Sequence, residues 1–122
     1  MVIGILKEKE GERRVSALPE TVRQIVERNV SVWVEPGAGE SAFAADAAYE
    51  GSGASLHARS EILREADLLL SIQVPSEEDR RSCKKNTAWL GIYAPLNNPA
   101  LLQDMCSLGL DVVSMDNVPR VT

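Results

Sequence analysis

The chain has 122 residues, 44% of them hydrophobic, which suits one compact domain and leaves little room for two. Aromatic residues make up 4%, so its core must be built from Val, Ile, Leu and Ala. A formal net charge of -5 argues against a nucleic-acid groove, which needs clustered Lys and Arg to displace counterions.

In chain order, Val2–Leu6 (VIGIL) is a short buried strand and Lys7–Arg14 a charged loop after it. Pro19 opens a helix with Val22, Ile25 and Val26 at i, i+3 and i+4, and Asn29 stops it. Ser31–Val34 (SVWV) is a second strand, followed by a turn at Gly37 and Gly39. Ala44–Glu50 is an alanine-rich helix closed by Gly51 and Gly53. Ala54–Leu56 reads as a short third strand, and Ser60 as the cap of a helix running to Ala66. Ala66–Gln73 (ADLLLSIQ) and Thr87–Tyr93 (TAWLGIY) are two more strands. Between them Glu77, Glu78 and Asp79 stand beside Arg80, Arg81, Lys84 and Lys85, the pattern of a solvated mixed-charge helix or loop. Pro99 opens a helix through Ser107 with Leu101, Leu102 and Met105 inward, Gly109 ends it, and Asp111–Met115 is the last strand.

Apolar strands alternating with helices are an α/β pattern, and strand-helix-strand units cross over into a parallel sheet. A strand as continuously apolar as ADLLLSI is buried on both faces. The predicted architecture is a three-layer, open, mostly parallel sheet, flavodoxin-like or Rossmann-like. Ligands of such sheets bind outside the carboxyl ends of the strands. That directs attention to residues 7–18, 35–42, 73–79, 93–99 and 116–120.

Cys83 and Cys106 have no zinc spacing, and the single His57 cannot complete a site; two free thiols in a reducing compartment are expected. The N-terminus has apolar residues before charges, the reverse of an export signal. No apolar run approaches the ~20 residues that span a bilayer.

Gly37-Ala38-Gly39-Glu40-Ser41-Ala42 spells G-x-G-x-x-A between a strand and a helix. A dinucleotide fingerprint follows the first strand of its unit and has an acid about 20 residues on for the ribose. Here the turn follows the second strand, the later stretch reads Ser55-Leu56-His57-Ala58-Arg59, and Glu35 stands where a phosphate would be repelled. A tight turn, with Gly37 and Gly39 allowing positive φ and close packing, is the expected use. Arg14 in the first strand-end loop could bind a carboxylate through paired hydrogen bonds or be a surface arginine. Lys7 and His57 carry the same two readings, ligand-facing or structural, and Arg120 could point at a ligand. No Ser-His-Asp order, motif-spaced acid pair or nucleophile elbow is present.

Four stretches together, IGILKEKEGERRVSALPETVRQI, VWVEPGAGESAFAADAAYEGSGA, EADLLLSIQVPSEED and VVSMDNVPR, resemble the N-terminal domain shared by alanine dehydrogenase and the alpha subunit of proton-translocating NAD(P) transhydrogenase. The similarity covers almost all of residues 1–122, read as one such domain, truncated, whose Rossmann NAD-binding domain lies elsewhere. By that resemblance Arg14 matches the substrate-binding arginine of alanine dehydrogenases. Their lysine, however, is replaced by Gln73, and where their histidine stands the chain reads Gly91-Ile92-Tyr93-Ala94-Pro95. Gln and Tyr do not replace Lys or His in carbonyl binding and proton transfer. The ending Met115–Thr122 resembles the transhydrogenase motif whose Pro-Arg pair lies beside the nicotinamide, which assigns Arg120 to cofactor binding. The resemblance therefore implies the N-terminal part of an NAD(H)-binding transhydrogenase component, catalytically silent alone, with no catalytic residue or metal of its own. NAD would be held through the other domain. The implied partners are that Rossmann domain, membrane and NADP-binding subunits and a second copy in a homodimer, with a cytoplasmic location at the inner membrane. An alanine-dehydrogenase-like domain with altered catalytic residues and a non-catalytic binding or regulatory module are the alternatives.

Overall fold

A computed structural model describes residues 1–9, 12–73, 75–91 and 99–114. Strands β1 (Val2–Ile5), β2 (Ser31–Val34), β3 (Ser55–Leu56), β4 (Leu68–Leu70), β5 (Ala88–Gly91) and β6 (Asp111–Ser114) alternate with helices α1 (Pro19–Val26), α2 (Asp46–Gly51), α3 (Arg59–Glu65), α4 (Glu77–Ser82) and α5 (Pro99–Ser107). The strands form one sheet in the order β3-β2-β1-β4-β5-β6. Every pairing is parallel, with Ile3 opposite Val32 on one side and Leu68 on the other. This is the Rossmann strand order, and it reverses direction between β1 and β4.

Two apolar layers cover the sheet. Ile5, Val22, Val32, Val34 and Tyr49 pack under α1 and α2. Leu6, Ile62, Leu69, Trp89 and Met105 pack on the other face, under α3 and α5. Adjacent residues such as Ile5 and Leu6 point to opposite layers, as the pleat requires.

Several expected boundaries move, each for a visible reason. The 44–50 helix begins only at Asp46, because Phe43 takes a left-handed φ of 61° after a 3₁₀ turn at Glu40–Ala42. Ser60 is not a cap: α3 starts at Arg59 with Ala58 before it, and the first helical bond runs from the Ile62 N–H to the Ala58 carbonyl. From this first helical position Arg59 reaches across the sheet end to Glu35 and Asp79. The ADLLLSIQ strand shrinks to Leu68–Leu70, since the N–H groups of Ile72 and Gln73 donate to the Glu8 carboxylate instead of a neighbouring strand. The mixed-charge stretch is a helix, α4, capped by the Ser76 hydroxyl accepting from the Asp79 N–H. It is solvated only in part: Arg81 and Glu77 form an exposed pair, whereas Asp79 is buried and Arg80 is tied to Asp104 of α5 at 2.9 Å. Asn29 (φ 64°) and Gly109 (φ 75°) do end their helices through left-handed residues. The inward side chains expected at Leu101 and Leu102 lie outside the described set.

Candidate functional site

The carboxyl edge of the sheet gathers the loops after β1, β2, β3 and β4, with the β1/β4 reversal at its centre. Lys7, Glu8 and Lys9 leave β1 there. The Glu8 Oε1 accepts from the backbone N–H groups of Ile72 at 2.8 Å and Gln73 at 2.7 Å. In return the Gln73 Oε1 accepts from the Lys9 N–H at 2.9 Å. These three bonds form a reciprocal clamp that closes the first strand-end loop onto the fourth. Burial pushes the Glu8 carboxyl above its ordinary range, and the two N–H donors only partly offset this.

Arg59 crosses the same edge. Its guanidinium forks onto Asp79, Nε to Oδ1 at 3.1 Å and Nη2 to Oδ2 at 2.5 Å. Its Nη1 donates to Glu35 Oε2 at 2.7 Å and to the Lys7 carbonyl at 3.1 Å. Glu35 Oε2 also accepts from the Lys7 N–H at 2.6 Å. Burial alone would raise the Asp79 carboxyl, but the Arg59 bonds outweigh it and hold the group below its ordinary range. One arginine thus joins the ends of β1, β2 and α4. The charges of Arg59, Asp79 and Glu35 are paired with one another.

The glycine turn is shaped for the fold. Gly37 adopts φ 81°, and its N–H donates to Asp46 Oδ1 at 2.8 Å. Gly39 corrects the expectation of positive φ: its φ is -101°. Its lack of a side chain serves close packing, because a Cβ there would lie 2.7 Å from the Ala44 carbonyl oxygen and 2.7 Å from Tyr49 Cε2. A pyrophosphate needs free N–H donors at a helix start. With the Gly37 donor taken and the Glu35 carboxylate alongside, this turn does not fit that group.

Arg14 stands exposed, and its Nε and Nη2 donate to the two oxygens of Glu12 at 2.9 and 3.0 Å. Glu12 lines a wider pocket of about 380 Å³ with Lys7, Glu8, Lys9, Gly37 and Ser41. The Arg14 fork holds the Glu12 carboxyl down to about 2. Lys7 is exposed, its ammonium lying beside Gly37. His57 stacks on Trp33, ring centres 3.8 Å apart, with Nδ1 3.1 Å from Glu61 Oε1, a structural setting at the β2–β3 edge. Arg120 and Tyr93 lie outside the described residues. Cys83 and Cys106 are free, and burial pushes the Cys83 thiol up to about 11. Sequence reading passed over Glu8, Arg59 and Asp79. The available signal was an acid three residues past the end of the first strand and an arginine three residues past the end of the third.

The family profile described as alanine dehydrogenase/PNT, N-terminal domain, matches residues 4–122. The NAD(P) transhydrogenase subunit alpha of Haemophilus influenzae is 32% identical over 123 residues, covering 100% of this chain and 24% of that protein. Alanine dehydrogenase 1 of Staphylococcus aureus is 29% identical, over 97% of this chain and 32% of its own length. Among solved structures, a transhydrogenase from Sinorhizobium meliloti superposes with a TM-score of 0.94 at 28% identity, over 100% of this chain and 37% of that one. An L-alanine dehydrogenase gives 0.83 at 26% identity, over 93% and 32%. This chain therefore spans about a quarter to a third of the length of the curated relatives it matches.

Proposed function

This chain belongs to the alanine dehydrogenase/PNT N-terminal-domain family, a family of oxidoreductase domains, and from that premise we propose that it is the N-terminal part of the NAD(H)-binding component of a proton-translocating transhydrogenase. The parent reaction is hydride transfer from NADH to NADP+ coupled to proton movement. The nicotinamide lies in a cleft that this domain walls, and a Rossmann domain on the same or a partner polypeptide holds the dinucleotide. Arg120 stands beside the nicotinamide, and Arg14 keeps at most a weak substrate role. Membrane and NADP-binding subunits complete a cytoplasmic-facing assembly, with a second copy as dimer partner. No helix among the described residues is long and apolar enough to cross a membrane.

The observation that carries this reading is Gln73 in the clamp. Transfer of hydride between two nicotinamides needs exclusion of water and fixed geometry more than an acid-base side chain. At the β1/β4 reversal this chain offers backbone closure: Glu8 and Gln73 pin the loops, and Arg59 is satisfied by Asp79 and Glu35. The likeness to the Haemophilus influenzae alpha subunit supports the same side.

The comparable likeness to alanine dehydrogenase 1 favours a second reading, an alanine-dehydrogenase-like oxidoreductase domain with altered catalytic residues. Calorimetric titration of NADH into the 122-residue chain, with and without a separately expressed Rossmann-containing partner, tests the proposal. Binding only when the partner is present is the expected result. Micromolar binding by the chain alone would overturn the cleft-wall role, and alanine-dependent reduction of NAD by the reconstituted pair would favour the second reading.

A further inference from the structure

Two buried side-chain polar atoms among the described residues lack a hydrogen-bond partner, Glu8 Oε2 and Trp89 Nε1. Both residues line one crevice at the β1/β4 reversal, with Leu6, Ser71, Pro75 and Asp79 among its other walls. Trp89 comes from β5 and is 0% exposed. The two atoms are opposite in sense: a carboxylate oxygen accepts and an indole N–H donates. Each is destabilising if left unmet. The space open to the centre of a water molecule is about 20 Å³. One water needs roughly 10–15 Å³ on that measure.

We propose that this crevice is a binding site for a single ordered water, which accepts from Trp89 Nε1–H and donates to Glu8 Oε2. The donor-acceptor pair selects the ligand. A metal ion or ammonium cannot accept from the indole, and an anion, although Lys7, Lys9 and Arg59 also line the crevice, has no proton to donate to Glu8 Oε2. A hydroxyl carried on a larger molecule exceeds the space. The Cys83 thiol is the competing neighbour. The indole N–H lowers its pKa somewhat against burial, but sulfur is a weaker acceptor than a water oxygen. The water extends the clamp: Glu8 reaches the β4 loop through Oε1 and β5 through Oε2.

The test is a crystal structure of the 122-residue chain fine enough to place waters, paired with NMR of tryptophan-labelled protein. The expected result is one water within about 3.2 Å of both atoms. The Trp89 indole proton should also show a cross-peak at the water frequency that Glu8→Met abolishes. Clear density for surrounding waters with none in the crevice, or an indole N–H that meets only Cys83, overturns the proposal. Should Glu8→Met fail to fold, the density and the cross-peak in the unmodified chain decide alone.

Discussion

Replacing Glu8 separates the clamp's geometry from its charge. Its Oε1 alone accepts both the Ile72 and Gln73 N–H groups, at 2.8 and 2.7 Å. Glu8→Gln presents a carbonyl oxygen in the same place and keeps both bonds as neutral ones. Glu8→Ala loses both and leaves two backbone donors to find water. Bonds to a charged acceptor contribute about 1.5–3 kcal/mol each. Desolvation of the carboxylate opposes them, and solvent screens a half-buried side chain, so the net loss for Ala is about 2 kcal/mol. That corresponds to a fall in Tm of roughly 8 °C for a domain of this size. Gln should stay within about 1 kcal/mol of the parent. The pH dependence gives an independent check. Burial raises the folded carboxyl above its ordinary 4.5. The folded state then binds the proton more tightly than the unfolded chain, so this group's stabilisation is complete below 4.5 and is lost as pH rises through the folded value. Glu8→Gln has no such titration and should gain on the parent across that window. Urea unfolding between pH 4 and 8 measures both effects. Equal losses for Ala and Gln, or an Ala variant as stable as the parent, would refute the clamp.

Gly39→Ala should cost about 2 kcal/mol or more, because the added methyl meets the Ala44 carbonyl and the buried Tyr49 ring at 2.7 Å. Gly51→Ala, a helical position with nothing within 4 Å, should instead stabilise by about 0.5–1 kcal/mol, and parallel thermal melts compare the two. Asp79→Asn should cost about 1–2 kcal/mol at pH 7, since Arg59 keeps its Glu35 bond. The Asp79 carboxyl is held below its ordinary 3.8, so its contribution is present above that value and lost as pH falls through the lowered one. Acid titration of both proteins should show the gap between their stabilities narrowing as pH falls below 3.8, and a constant gap would refute the assignment.

The layered fold was legible because strand burial writes itself as apolar runs, and VIGIL, SVWV and LLL each sit in the sheet. Boundaries were less legible, because long-range bonds set them. Ile72 and Gln73 read as strand until a carboxylate 64 residues away takes the Ile72 N–H. Ala44 and Ala45 read as helix until the left-handed backbone at Phe43 and the helix start at Asp46 are seen. The glycine turn was read as structural with positive φ at both glycines, whereas Gly39 acts through packing and only Gly37 through φ. Glu8, Arg59 and Asp79 escaped notice because each sits in charged sequence, and only the strand order brings Arg59 and Asp79, 20 positions apart, to one edge.

Gln73 decides how the altered site should be understood. The resemblance places a lysine there in alanine dehydrogenases, and a lysine side chain is a donor only. The Lys9 N–H requires an acceptor, and Gln73 Oε1 supplies it at 2.9 Å. Restoring a lysine at this position would set an ammonium against a backbone donor and near the exposed Lys9 side chain. The clamp and the substrate-binding lysine are thus alternative uses of one position at the same sheet edge. A chain that has lost the lysine by drift would leave the Lys9 N–H unmet or the loop open. This chain closes the loop from both sides, Glu8 onto β4 and Gln73 onto the segment after β1. On the function proposed above, closure of that kind suits a wall beside a reaction carried by two cofactors better than a pocket that must admit and protonate an amino acid.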